Sequence, residues 1–194
     1  MFGGRAKLLI RTERLLLRPP IMDDHDDWAR ARREGRDFIE PWEPNWAHDH
    51  FTRSAFRARV SWAKRAIRDG RAIPLFLIRA EDRLLIGAIT LDNIRRGPAQ
   101  AGTVGYWVAH HAAKQGYMSE ALAAVVIHAH RALDLSRVEA ACLPENKPSR
   151  ALLERCGFKY EGVAQSYLQI AGRWRTHVLY ANLCGDRRGR TEAG

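Results

Sequence analysis

The sequence predicts a single α/β domain, a mixed sheet flanked by helices. Its length of 194 residues suits one full hydrophobic core and is short for two. Apolar periodicity switches repeatedly between the alternation of strands and the wider spacing of helices. The resulting order is β, α, α, β, β, β, α, β, α, β, β, so about seven strands and four helices are expected. No internal repeat is visible.

Residues 1–8 are expected to be a loose end before a domain spanning 9–184. Thr12 to Pro19 alternates as a strand, with Leu15 and Leu17 set against Arg14 and Arg18, and Pro19 and Pro20 stop it. Asp23, Asp24, Asp26 and Asp27 open a helix whose far end carries Arg30, Arg32 and Arg33, the charge order that complements the helix dipole. From Phe38 to His50 there is no period, and the segment reads as a loop. Phe56, Val60, Ala63 and Ile67 recur at helical spacing between Phe51 and Asp69, and Gly70 supplies the stop.

Ala72 to Ala80 and Leu84 to Ile94 read as a β-hairpin around Glu81, Asp82 and Arg83, and Arg95 to Gly102 as the next turn. A central strand follows, ending in Gly105, Tyr106, Trp107 and Val108. Met118 to Leu133 then places Leu122, Val125, Val126, Ala129 and Leu133 on one helical face. Val138 to Leu143 is a short strand. Asn146 caps a helix from Lys147 to about Arg155, with Pro148 in its first turn and Gly157 at its end. Strands near Lys159 to Ile170 and Trp174 to Leu183 close the domain, and residues 185–194, with almost no apolar content, read as a disordered basic tail.

Composition narrows the function classes. Hydrophobic content of 46% with 28% charged residues is ordinary for a soluble protein, and the longest apolar run, Ala121 to Ile127, is too short to span a bilayer. The N-terminus lacks the continuous apolar core of a signal peptide, so a cytoplasmic location is expected. Three cysteines without a CxxC pair argue against a disulfide framework and against a zinc site. A net charge of +10 favours an anionic partner, such as a polyphosphorylated small molecule or a nucleic acid, though a solvated basic surface would give the same total.

One stretch organises the rest: Val104 to Leu122, VGYWVAHHAAKQGYMSEAL, a strand running through a polar bend into a helix. Backbone N–H groups at such a helix start have no intrahelical partner, and the dipole adds positive charge, so the turn suits a phosphate. Taken with NKPSRALLERCGF further on, and with RLLLRPP, PWEP and YLQIAGRWRTHVLYA, it resembles the GNAT N-acetyltransferases. The likeness is to the ribosomal-protein-alanine type represented by RimJ and RimL, closer to RimJ.

That resemblance implies acetyl-CoA as cosubstrate, no metal, and an acetyl group moved to an amine by direct attack in a ternary complex. Gly116 matches the central glycine of the family's phosphate loop, while Ala113 stands where an outer polar residue is usual, so Lys114 and Gln115 with the backbone of Gln115 to Ser119, including Tyr117 and Met118, are the expected contacts. Trp107, Val108 and Ala109 match the strand end that pairs with the pantetheine arm. Asn146 and Ser149 form the NxxS pair: Asn146 holds the acetyl end and Ser149 is the candidate proton donor. Both are also ordinary residues for a helix start.

The tyrosine acid of other branches is Leu153 here. The carboxylate base of the RimL branch falls on Leu168, and the usual aspartate near the last strand is Thr176. Trp42, Glu43, Asp92 and Tyr167 are the candidate acceptor contacts, and His177 reads equally as structural or catalytic. A protein α-amine tolerates a weak base better than lysine does, because about a tenth of it is already neutral at pH 7. The expected acceptor is the N-terminus of a ribosomal protein, with ribosome association possible. A small amine such as a polyamine or aminoglycoside, or a ribosome-associated protein that binds acetyl-CoA without turnover, stands as the alternative.

Overall fold

The structure, a computed structural model, describes residues 8–185. The expectations for residues 1–7 and for the tail beyond Gly185 fall outside the described residues; Leu8 packs partly buried against the core. Among the described residues, eight strands form one sheet: β1 Ile10–Arg11, β2 Leu15–Arg18, β3 Ile73–Arg79, β4 Leu85–Arg95, β5 Ala101–Val108, β6 Arg137–Cys142, β7 Lys159–Ile170 and β8 Arg173–Leu183. Their order is β1-β2-β3-β4-β5-β6-β8-β7, and only β5 and β6 run parallel. Five α-helices accompany them: α1 His25–Glu34, α2 Arg36–Ile39, α3 Arg53–Arg68, α4 Tyr117–Arg131 and α5 Lys147–Arg155.

Three local readings change. The strand read over Thr12 to Pro19 is confined to Leu15–Arg18 and a two-residue strand, Ile10–Arg11, precedes it, because Thr12 closes a turn: its Oγ1 accepts from Leu15 N at 3.0 Å while Thr12 N donates to Leu15 O at 3.0 Å. The stretch taken as a loop holds the end of α2 and a 3₁₀ turn over Glu40–Trp42 with Pro41 near its start. β5 begins at Ala101, three residues before the reading from sequence, so the preceding turn is shorter.

The two faces of the sheet are packed differently. On one, α4 and α5 bury Tyr117, Leu122, Val125, Ala129 and Leu153 against Leu75, Ile89, Val104, Val138 and Val178. On the other, Trp28 of α1 and Phe56 and Val60 of α3 cover Phe76, Ile78 and Leu85. Side chains alternate between faces along a strand, so Tyr106 joins the first core and Trp107 the second.

What positions the site is a break in the sheet. β5 pairs with β6 only through Ala101, Gly102 and Thr103, opposite Arg137, Val138 and Glu139. Past Thr103 the two strands part, while β5 stays paired to β4 as far as Val108. The second half of β5 therefore has no ladder partner on its β6 side, and a polar edge is offered to whatever lies in the gap. Trp107 is held closely there, since its carbonyl oxygen lies only 2.5 Å from where a Cβ on Gly87 would stand, an approach only glycine permits.

Candidate active site

A cleft of about 680 Å³ opens where β5 and β6 separate, and it is lined from both faces of the sheet. Lys114, Gly116, Tyr117, Met118, Ser119 and Arg155 line one end; Tyr106, Cys142, Asn146 and Ser149 line the middle; Phe38, Trp42, Glu43, Trp107 and His177 line the other end.

The first end has a backbone form that suits an anion. Lys114 and Gly116 both lie in the left-handed region, at φ 61° and 84°, and Gly116 caps α4 with no side-chain hydrogen bond. Alternating handedness turns successive N–H groups inward, and the first turn of α4 adds its unpaired donors. Lys114 and Arg155 supply further positive charge.

Arg14, which the sequence reading assigned only to a strand, braces this loop. Its Nη1 donates to the Gln115 carbonyl at 3.0 Å, its Nε donates to Glu120 at 2.7 Å, and its guanidinium lies 4.5 Å from the Tyr117 ring centre. These partners lie about a hundred residues apart in sequence, and no local pattern marks the contact. Gln115 does not line the cleft; its side-chain amide donates to the His111 carbonyl at 2.7 Å. Ala109 is fully buried, donates its N–H to Ile86, and also lies off the lining.

At the middle, Asn146 Oδ1 accepts from the backbone N of Ser149 at 3.1 Å and so caps α5. This leaves the Ser149 hydroxyl free of capping, and it sits 2.8 Å from the Tyr106 hydroxyl. Burial raises the Tyr106 phenol above its ordinary range. Either hydroxyl can donate to the other; with the phenol protonated, one arrangement has Tyr106 donating to Ser149, which leaves the Ser149 hydrogen available to the cleft. Tyr106 was read only as a strand residue, and the contact with Ser149, 43 positions away, gives no sequence signal. Cys142 lines the same region, and burial pushes its thiol up. Leu153 is buried in the core, consistent with its having no place in the chemistry.

The far end is held by a buried ion pair. Arg32 pairs with Glu43, and the Trp46 indole N–H donates to the same carboxylate at 2.8 Å. The Arg32 guanidinium lies 4.4 Å from the Trp46 ring centre and 5.0 Å from that of Trp107. Trp46 in turn stacks on His50, whose burial beside Arg32 and Arg59 lowers it to about 4 and keeps it neutral. Ala171, in the β7–β8 turn, donates its N–H to the Glu43 carbonyl at 3.1 Å and ties that hairpin to the wall. Glu43 thus lines the cleft with its carboxylate committed to Arg32 and Trp46.

Two other expected acceptor contacts do not line the cleft. Asp92 lies on β4 opposite Thr103, five residues from the Gly87–Val108 pair. That is roughly 17 Å along an extended strand, and its carboxylate accepts from Asn93 N at 2.7 Å. Tyr167 is half-exposed on β7 and meets the cleft only through His177, their ring centres 5.7 Å apart. Among the described residues, no group of three or more His, Cys, Asp or Glu side chains is placed to hold a metal ion. No helix among them is long and apolar enough to cross a membrane.

Known proteins resemble this chain in sequence and in fold. Residues 14–159 match the acetyltransferase (GNAT) domain. The chain is 36% identical over 186 residues to the ribosomal protein uS5-alanine N-acetyltransferase of Escherichia coli K12, covering 93% of this chain and 95% of that one. Mycobacterium smegmatis RimJ, solved in complex with CoA-disulfide, superposes with a TM-score of 0.87 at 32% identity, covering 94% of this chain and 90% of that one. The ribosomal-protein-S5-alanine acetyltransferase of Vibrio fischeri gives a TM-score of 0.85 at 28% identity over 92% of this chain and 98% of its own. A sheet parted at β5 and β6, a glycine-headed helix beside the gap and these nearly end-to-end likenesses place the chain in the GNAT family of N-acetyltransferases.

Proposed function

We propose that the protein transfers the acetyl group of acetyl-CoA to the α-amino group of a protein N-terminus, in the cytoplasm, with the alanine terminus of a ribosomal protein as the best-supported acceptor. One observation carries this reading: the cleft is open to both faces of the sheet, so a thioester held on the α4–α5 side meets an amine entering from the α1–α2 side. The name of the Escherichia coli relative supports the acceptor class.

The residues divide the work accordingly. The cradle around Gly116, with Lys114 and Arg155, suits a diphosphate, and the unpaired edge of β5 from Val104 to Val108 suits the amide groups of a pantetheine arm. The neutral amine attacks the thioester carbonyl, the C–N bond forms and the C–S bond breaks. The departing thiolate takes its proton from Ser149, which Tyr106 supplies in turn. Phe38, Trp42 and Trp107 shape an apolar entry for a chain terminus. Any contact with the ribosome itself would draw on the basic surface.

Ser149→Ala is expected to lower kcat about 100-fold while leaving acetyl-CoA affinity and the melting temperature nearly unchanged. The cap on α5 uses the backbone N of Ser149, which the substitution keeps. Tyr106→Phe should lose less, and the double variant should lose no more than Ser149→Ala, because the two hydroxyls act as one relay. A normal kcat at saturating acetyl-CoA in Ser149→Ala would remove the donor role.

The acceptor class is tested with two peptides. An Ala-initiated peptide should be acetylated at least about 100-fold faster than the same peptide with a blocked terminus and a free lysine, whose amine is neutral in fewer than about one molecule in a thousand at pH 7. Equal rates, or activity confined to a polyamine or aminoglycoside, would reassign the acceptor.

A further inference from the structure

The acceptor amine needs a group to take its proton, and the carboxylates near the cleft are poorly placed for it. Glu43 is held by Arg32 and Trp46, Glu40 is paired with Arg36, and Asp92 lies far along β4. The position matching the carboxylate of the RimL branch is Leu168. Asp37 lines the cleft, but from its solvent-exposed rim on α2.

His177 is different in each respect. It lies on β8 and is only 3% exposed, yet it lines the cleft. Its neighbour Val178 points into the core beneath α4 and α5, so His177 projects from the opposite face of the sheet, the face that carries Trp107. Tyr106, Cys142 and Ser149 belong to the α4–α5 side. The sheet thus separates the two proton-handling groups: Ser149 on the side of the thioester, His177 on the side of the amine.

Its hydrogen bonding fixes the chemistry of the ring. Nδ1 lies 3.0 Å from the Arg175 backbone oxygen. A carbonyl only accepts, so Nδ1 carries the hydrogen, and in the neutral ring Nε2 holds a lone pair. Nε2 has no partner among the described residues and is not sealed from solvent. His177 is itself one of the residues that line the cleft. The Tyr167 ring, set at 60° to the imidazole, packs against it and limits its rotation. A buried imidazole, oriented by one nitrogen and open at the other, has the form of a general base.

We propose that His177 Nε2 is the base that deprotonates the acceptor amine, an inference that rests on the N-acetyltransferase reading above. Nε2 takes a proton from the acceptor ammonium, and the neutral amine attacks. As the amide forms the nitrogen sheds its second proton to water, and the Ser149–Tyr106 pair regains from water the proton it gave the thiolate, so that one proton is released overall. The imidazolium then returns its proton to water.

The size of the effect follows from the acceptor. An α-amine is about one-tenth neutral at pH 7, so supplying the neutral form accounts for about tenfold, and assistance during attack adds to this. The test uses the full chain, saturating acetyl-CoA and an Ala-initiated peptide. His177→Asn retains a donor for the Arg175 carbonyl but lacks Nε2, and His177→Gln is the second variant; melting curves and acetyl-CoA affinity establish that each is folded. Both are expected to lose about 10- to 100-fold in kcat/KM for the peptide at pH 7. The deficit should shrink about tenfold by pH 9, where the amine is neutral without help, and imidazole should restore part of the activity of His177→Ala.

The charged and titratable neighbours, Tyr167 on β7, Arg175 paired with Glu145, and Asp37, Glu43 and Tyr106 across the cleft, are common to wild type and variants and cancel in that ratio. A deficit of equal size at both pH values would mark a structural role and overturn the proposal. So would undiminished activity in His177→Asn, or a pH-dependent loss found in Asp37→Asn instead. Failure of the wild type on any α-amine would overturn the acceptor reading, whereas a working wild type matched by His177→Asn overturns only the role of His177.

Discussion

Gly116→Val should bind acetyl-CoA at least about 100-fold more weakly than wild type while remaining folded. Three effects act together. The residue sits at φ 84°, where a side chain costs about 1–2 kcal/mol and a β-branched one more. Its Cβ would stand 3.3 Å from Arg14 Nη2, the guanidinium that braces the loop through the Gln115 carbonyl and Glu120. The valine methyls would also occupy the approach to the N–H groups at the start of α4. The first effect alone lowers stability slightly; the other two disturb binding. Calorimetric titration gives the affinity directly, and thermal melting checks it, since ligand at about 100 times its dissociation constant stabilises by about 2.7 kcal/mol. The variant should lose that shift. An unchanged affinity would remove the cradle from the cosubstrate site.

The fold was legible where physics is local. Gly70, Gly116 and Gly157 punctuate the helices as read, Asn146 caps α5, and the apolar stripe of α4 packs against the sheet. The errors are also local in origin. Thr12 closes a turn with its own hydroxyl, and a threonine in an alternating stretch reads as strand. α2 has four residues, too few to show a helical period.

Of the cleft lining, Gly116 and the Asn146–Ser149 spacing were legible in the sequence, and less so every contact between residues distant in sequence. Arg14 with Gln115, Tyr106 with Ser149 and Arg32 with Glu43 are tertiary pairs without a sequence pattern. Glu43 was visible as a carboxylate near a tryptophan, but that it is spent on a buried arginine is a property of the fold.

That pair carries the second large effect. Glu43→Ala leaves the Arg32 guanidinium buried among Trp28, Trp46 and Trp107 without its counter-charge. Breaking one side of a buried ion pair costs about 3–5 kcal/mol. Taking about 3 kcal/mol, for a chain of this length the melting temperature should fall by about 6–12 °C. The KM for the acceptor should rise with it, since the wall holding Trp42 and Trp107 loosens. Combining Glu43→Leu with Arg32→Met should recover most of the stability, because well-packed apolar groups replace such pairs at little cost. A melting point within about 2 °C of wild type in Glu43→Ala would mean that Arg32 finds water, and that the ion pair does not hold the acceptor wall.

The central claim, acetyl transfer to the terminal amine of a ribosomal protein, is tested most directly by mass spectrometry. Bacterial ribosomal proteins lacking N-terminal acetylation would be incubated with the purified protein and acetyl-CoA, then digested and sequenced. The account predicts a single acetyl group on the α-amine of an alanine-initiated ribosomal protein, lost in Gly116→Val and strongly slowed in Ser149→Ala. Acetyl groups on lysine side chains alone, or no modified ribosomal protein while a small amine is turned over, would contradict it.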